Sequence, residues 1–332
     1  MVFGVGGKFF TDHTHCPDMD GNLKAMFEKQ GYAIVGNHSA VKTCHWLRES
    51  MINRRVCYKQ EFFGIDSHRC LQMTPVANAC NHRCLYCWRY QGADDVIEEW
   101  DDPKMIVEGT IEAQRRLVSG FKGDERCDLR MWDEARAPNQ VAISLTGEPT
   151  MYPRLGELIA EYRRRGFTTF LVTNGTFPHL LRDLDPLPSQ LYISIDAPTE
   201  EIYRKLCLPK IGDGWKRLKE TIDLIPSLDT RTVARHTLVK GWNLGYEEQY
   251  AALDLRGEFD FIEPKGYVFV GYSRERLSID NMPSFEEIST FARKMSELTG
   301  YSVAGSNPPS RVVLLTSGRR TLRLVEGPNQ QI

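Results

Sequence analysis

The sequence predicts an α/β chain organised around a parallel sheet. Six short apolar runs recur from residue 70 onward, most of them separated by stretches with helical spacing. Glycine and polar residues gather just after those runs, where β/α barrels and open α/β sheets carry their sites. No internal repeat, low-complexity tract or long linker divides the 332 residues.

Residues 1–40 read as a polar segment with one helix, about Asp20–Gln30. Leu71–Val76 is the first strand, and Asp102–Ser119 is the helix that follows it. Gly120–Pro138 is charged, carries Cys127 and reads as a loop. Val141–Thr146 is the second strand, ending in Gly147-Glu148-Pro149-Thr150, and Leu155–Arg165 is its helix, stopped by Gly166. Thr168–Thr173 runs into Asn174-Gly175-Thr176, and Gln190–Ile195 runs into Asp196-Ala197-Pro198. A helix at Trp215–Ile225 precedes Thr232–Val239, which ends in Lys240-Gly241-Trp242-Asn243. A helix at Glu247–Leu255 leads to the sixth strand, Phe261–Pro264, followed by Lys265-Gly266-Tyr267. The helix Phe285–Leu298, two further strands (Ser302–Asn307 and Arg311–Thr316) and a polar tail complete the chain.

Composition narrows the function. Hydrophobic residues make up 41% and charged residues 26%, enough for a large globular core. A formal net charge of -2 means that any basic, nucleic-acid-binding surface must be local. No apolar run approaches the ~18 residues of a membrane span. Met1–Lys8 lacks the charged start and long apolar middle of a signal peptide. Nine cysteines in such a chain point to metal or redox chemistry in a reducing cytoplasm.

The strongest chemical signal is Cys80-Asn-His-Arg-Cys84-Leu-Tyr-Cys87-Trp88. Three thiolates at C-x3-C-x2-C spacing can hold three irons of a [4Fe–4S] cube and leave the fourth open to another ligand. The competing readings are a zinc site and reduced core cysteines. Zinc sites usually show two C-x2-C pairs or paired Cys/His, a spacing not found here. Upstream, Cys44, Cys57 and Cys70 are separated by twelve residues each. Such spacing exceeds one local turn and suggests three segments bringing one thiolate each to a common point. A second open cluster is one reading, and ordinary buried cysteines are the other. Lys59 follows Cys57 by two residues. A desolvated lysine can form a Schiff base with a carbonyl substrate, whereas a solvated surface charge is the ordinary role. Cys16, near His13 and His15, reads as a loop cysteine beside chance histidines.

The C-x3-C-x2-C motif, with strand and helix order over about residues 70–270, resembles the radical S-adenosylmethionine (SAM) superfamily. The resemblance implies a partial (β/α)6 barrel, with 1–69 as an N-terminal cysteine-bearing extension and 271–332 as a C-terminal extension. Thr146-Gly147-Glu148-Pro149 is similar to the superfamily's Gly-Gly-Glu-Pro motif, with Thr146 in place of the first glycine. Gly147, Glu148 and Pro149 are therefore expected around the amino group of SAM. By position, Asn174, Ser194 and Asp196 are candidates for its ribose or methionyl group, and His236 and Lys240 for its carboxylate. Each of these could instead be a strand-end polar residue.

A narrower likeness covers nearly the whole chain. His38-Ser-Ala-Val-Lys-Thr-Cys44-His-Trp, Cys57-Tyr-Lys59, Phe-Gly-Ile-Asp-Ser-His-Arg-Cys70-Leu-Gln-Met-Thr-Pro and Cys80-Asn-His-Arg-Cys84-Leu-Tyr-Cys87-Trp-Arg together resemble the archaeal tRNA 4-demethylwyosine synthases. That family condenses N1-methylguanosine-37 of tRNA(Phe) with two carbons of pyruvate to give a tricyclic base. The likeness implies two [4Fe–4S] clusters, one on Cys80, Cys84 and Cys87 and an auxiliary one on Cys44, Cys57 and Cys70. It also implies SAM as cosubstrate and Lys59 as the lysine that takes pyruvate. Eukaryotic members add a flavodoxin-like domain for which this chain is too short. A separate flavodoxin- or ferredoxin-type donor and a monomeric cytoplasmic enzyme are therefore expected. The anticodon loop needs local arginines for its phosphates. Candidates are Arg54-Arg55, Arg115-Arg116, Arg163-Arg164-Arg165, Arg274, Arg276, Arg319-Arg320 and Arg323. Tyr267, Tyr272 and Trp242 are candidates for stacking on the base. Rival readings are another two-cluster radical SAM enzyme and a non-catalytic iron–sulfur RNA-binding protein.

Overall fold

The computed structural model describes residues 19, 21–92 and 97–324. Cys16, His13, His15, Met1–Lys8 and the last eight residues of the tail lie outside the described residues. Helix α1 (Gly21–Lys29) leads into an antiparallel hairpin, β1 (Tyr32–Val35) and β2 (Ser39–Lys42). Two helices, α2 (His45–Asn53) and α3 (Tyr58–Phe63), precede β3 (Cys70–Thr74). Helix α4 (Pro103–Ser119) starts at Asp102, whose carboxylate accepts the Lys104 N–H at 2.9 Å, with Pro103 in the first turn. After α5 (Leu129–Ala135) the alternation is regular: β4 (Gln140–Ile143), α6 (Leu155–Arg164), β5 (Thr168–Thr173), α7 (Pro178–Arg182) and β6 (Gln190–Ser194). One turn, α8 (Glu200–Ile202), widens into a π turn at Tyr203–Cys207. Then come α9 (Gly214–Leu224), β7 (Arg231–Leu238), α10 (Glu247–Arg256) and β8 (Phe261–Gly266). Helix α11 (Phe285–Thr299) opens on a Ser284–Glu287 capping box and stops at Gly300. Strands β9 (Ser302–Asn307) and β10 (Val312–Thr316) follow it.

The ten strands among the described residues form one sheet in the order β1-β2-β3-β4-β5-β6-β7-β8-β10-β9. Strands β3 to β8 run parallel, and the four outer strands pair antiparallel. This is the expected partial (β/α)6 barrel with an extension at each edge. Alternation along each strand sorts its residues onto two faces. Leu171, Leu191, Ile193, Ala234 and Ile262 pack outward in the main core beneath the helices. Phe170, Tyr192, Val233 and Phe261 face inward, where Tyr58, Phe62 and Phe63 of α3 close the barrel floor. Above that floor the inward positions turn polar: Ser194, Asp196, Arg235, Thr237 and Lys265 line a cavity.

Four features depart from the sequence expectation. The hairpin β1–β2 was hidden because each strand is only four residues long. Helices α2 and α3 lie in a segment marked in the sequence by Cys44, Cys57, Cys70, Lys59 and Arg54-Arg55, with no helix expected there. Gly120–Pro138 contains α5, whose single fully buried residue, Ala135, leaves no apolar stripe to read. Strands β3 and β4 also stop two and three residues earlier than expected.

Candidate active site

The signature cysteines sit in the loop after β3, and neighbouring segments hold that loop in place. The Arg83 and Leu85 N–H groups donate to the carbonyls of Leu208 and Leu206, at 3.1 and 2.9 Å. Gln91 donates to the Cys84 carbonyl at 2.9 Å. From the far end of the chain, Arg276 donates to the carbonyls of Leu85 (3.2 Å) and Cys87. Cys80, Cys84 and Cys87 all line a cavity of about 500 Å³. Burial raises the pKa of Cys80 and Cys87; contact with Cys207 and then burial raise that of Cys84. Three half-buried thiols whose ionisation is disfavoured in this way are donors that a cationic metal centre would ionise.

The second strand supplies the opposite wall. Gly147 has φ +66°, and a Cβ there would lie 1.8 Å from the Val76 carbonyl oxygen and 2.6 Å from that of Ala79. Only glycine allows the two loops to approach so closely. Glu148 is buried, and its carboxylate accepts from the Thr150 N–H (3.1 Å), the hydroxyls of Thr150 and Thr173 (both 2.6 Å) and the Asn174 N–H (2.8 Å). Burial, the largest influence, nonetheless leaves its pKa raised. Asn174 donates to Asn81 at 2.7 Å. Asp196 accepts from the Tyr86 hydroxyl at 2.6 Å and from the Thr237 N–H at 2.5 Å. Together these bonds tie the ends of β4, β5, β6 and β7 to the signature loop. Gly147, Glu148, Pro149, Asn174, Ser194 and Asp196 all line the same cavity as the three cysteines.

The second cysteine group lies at the barrel floor. Cys44 and Cys57 are the N-cap residues of α2 and α3, and Cys70 is the first residue of β3. Burial and then the neighbouring Cys44 push Cys57 up to about 12, and Cys70 rises from burial and the nearness of Cys44 and Cys57. The three segments therefore do converge. Lys59 lies beside Cys57 and Cys70, 8% exposed, with its amine over the rings of Phe170 (4.4 Å) and Tyr192 (4.7 Å). Burial lowers its pKa, opposed by Cys70 and Glu263. Among the described residues no three His, Cys, Asp or Glu side chains converge as ligands of a single ion would. A cube, by contrast, takes its thiolates at separate iron corners.

Two expected SAM ligands stand elsewhere. His236 faces outward on β7 and is fully buried, its Nε2 2.8 Å from Asp254 and its Nδ1 2.7 Å from the Ile195 carbonyl. Burial pulls its pKa down, but the Asp254 charge and both hydrogen bonds leave it raised, so it is a paired core histidine. Lys240 is half exposed and pairs with Glu287 at 2.7 Å. One residue before His236, alternation turns Arg235 inward, and sequence position alone missed it. Glu263 and Lys265 on β8 were missed for the same reason.

The expected RNA contacts change too. Tyr267 is buried, donates to Ser273 and lines the cavity, whereas Trp242 packs in a small apolar cluster. Arg164 and Arg165 bind Glu161, Arg319 binds Glu258, and Arg320 binds Asp229. Arg54 and Arg55 bind Asp128 and Glu49. Instead Trp88, Val268 and Val270 are exposed at the cavity rim.

The cysteine loop, the Gly147 approach and the nucleoside-sized cavity suit a [4Fe–4S] cluster with SAM beside it. Residues 74–253 match the radical SAM superfamily model, which makes this chain a radical SAM enzyme that uses SAM and a [4Fe–4S] cluster. Residues 256–317, which include the arm carrying Arg276, match the model for wyosine base formation. The chain is 50% identical over 307 residues to the S-adenosyl-L-methionine-dependent tRNA 4-demethylwyosine synthase of Pyrococcus abyssi, covering 90% of each. It belongs to the tRNA 4-demethylwyosine synthase family. A structure of TYW1 with a lysine–pyruvate adduct bound superposes with a TM-score of 0.84 at 34% identity, over 93% of this chain and 98% of that one. A crystal structure of archaeal TYW1 gives 0.77 at 32% identity, over 92% and 99%. No helix among the described residues is long and apolar enough to cross a membrane.

Proposed function

We propose that this chain joins carbons 2 and 3 of pyruvate to N1-methylguanosine-37 of tRNA(Phe), forming 4-demethylwyosine, while the C1–C2 bond of pyruvate breaks and carbon 1 leaves as carbon dioxide or formate. The observation that carries the proposal is a buried lysine, Lys59, beside three converging cysteines on the floor of the barrel that holds the signature loop. In this reading Cys80, Cys84 and Cys87 hold the SAM cluster, and Cys44, Cys57 and Cys70 hold an auxiliary one. Gly147, Glu148, Pro149, Asn174, Ser194 and Asp196 form the SAM subsite. Residues 1–69 carry the auxiliary ligands, 70–270 the barrel core, and 271–332 an extension that braces the signature loop. With the cluster and SAM held by these residues and an electron from a separate flavodoxin- or ferredoxin-type donor, the site would supply radical hydrogen abstraction at the N1-methyl group.

The protein's own groups do the rest. Lys59, poorly solvated, keeps more of its amine neutral than a surface lysine does, and that amine attacks the keto carbon of pyruvate. Water leaves as the imine forms. The barrel walls keep solvent from a reactive carbon centre. Trp88, Val268 and Val270 at the rim offer apolar contact to a base already outside a duplex. The relative solved with a lysine–pyruvate adduct supports the covalent role.

The test is iron and sulfide per chain after anaerobic reconstitution. Wild type should hold about eight irons and the Cys44/Cys57/Cys70→Ala triple variant about four, one cube having been removed. About four irons in both proteins would eliminate the auxiliary site.

A further inference from the structure

We propose that Arg235 receives the carboxylate of the oxo-acid substrate on the cavity floor and presents its keto carbon to Lys59. The inference rests on the reading of Lys59 above.

Arg235 is an inward residue of β7, opposite Glu263 in the register with β8. It lines the cavity together with Lys265. Burial lowers its pKa, but the nearby Tyr58, Glu263 and Asp196 leave it raised. Yet among the described residues its guanidinium makes no hydrogen bond and no ion pair. Asp196 is already occupied by Tyr86 and Thr237. Lys265 is also engaged, donating to the Ser310 carbonyl. Among the described residues Arg235 is thus a floor cation with its donors free, beside the Lys59 amine that rests on two rings.

Its position relative to Lys59 selects the ligand. The Lys59 amine rests on the ring of Tyr192 at 4.7 Å, Tyr192 pairs with Val233 in the β6–β7 register, and Arg235 is the next inward residue of β7 beyond Val233. A guanidinium fork matches a carboxylate through two parallel hydrogen bonds. In a 2-oxo acid the keto carbon is bonded directly to that carboxylate. A carboxylate seated on Arg235 therefore leaves the keto carbon for the Lys59 amine. The C=N bond forms, the keto oxygen leaves as water, and the carboxylate stays intact through this step. The ligand class is a short 2-oxo acid, since Phe170 and Tyr192 close the space around the amine.

The experiment traps the imine with borohydride in anaerobically reconstituted protein and quantifies the modified Lys59 peptide by mass spectrometry across a pyruvate titration. SAM half-saturation is measured in parallel. Arg235→Ala should raise the pyruvate concentration for half-maximal trapping about 10- to 100-fold, the loss expected for a charged hydrogen bond. Arg235→Lys should recover part of it, and SAM half-saturation should move less than about twofold on the same scale. Wild type needs no substitution to test the same point: it should favour pyruvate over pyruvamide, which keeps the keto group and lacks the charge. Equal trapping of the two by wild type would overturn the assignment. So would an unchanged pyruvate dependence in Arg235→Ala with weakened SAM, which would give the guanidinium to the SAM subsite. A wild type that traps neither compound would instead remove the reading of Lys59 on which this one rests.

Discussion

Lys59→Ala is expected to lower formation of the tricyclic base by about 10²–10⁴-fold, the range lost with a group that handles protons in the transition state. The lysine is nearly enclosed, and its amine rests on two aromatic rings. Lys59→Arg separates charge from covalency. It keeps a cation in the same place but cannot form the imine. It should therefore resemble Lys59→Ala in product formation and in the absence of a trapped pyruvate adduct. SAM cleavage without tRNA should persist in both variants, because Lys59 lies below the cavity that the signature cysteines line. Full turnover of Lys59→Ala with pyruvate saturating would remove the covalent role.

Gly147→Ala is expected to disable the SAM wall. The added methyl would meet the backbone of Val76 and Ala79, which carries no flexible end that could swing aside. Strain from the left-handed φ adds to overpacking, for a combined cost of about 3–5 kcal/mol. Gly166→Ala is the control. Its φ is +79°, yet nothing lies within 4 Å of the added Cβ, so only the backbone cost of about 1–2 kcal/mol remains. Denaturant midpoints of the two variants, with SAM cleavage measured alongside, should show a large loss in the first and a small one in the second. Similar losses in both would mean that the close approach of the loops contributes nothing.

Much of this was legible before any coordinates. The central strands are continuous apolar runs because both their faces are covered, and the signature cysteines are contiguous in sequence. What escaped was set by alternation within strands. His236 and Arg235 are neighbours in sequence but lie on opposite faces of β7, one paired with Asp254 and the other on the cavity. Glu263, fully buried in β8, is invisible to a pattern that equates burial with apolar residues. The hold of Arg276 on the Cys87 carbonyl joins residues 189 positions apart, a distance no local motif reports. Arginines expected to meet phosphate, such as Arg164 and Arg320, pair at the surface with carboxylates nearby in space, partners that sequence position does not report. The rim contact, Trp88, was in plain view beside Cys87 but was read only as part of the motif.

The most direct measurement is the fate of labelled pyruvate. Reconstituted protein is given tRNA(Phe) bearing N1-methylguanosine-37, SAM, a reductant and pyruvate carrying isotope at carbons 2 and 3. The nucleosides are then digested and weighed. The account predicts a tricyclic nucleoside carrying both labels and formed only when pyruvate is present. SAM cleavage with unlabelled, unaltered N1-methylguanosine would contradict it.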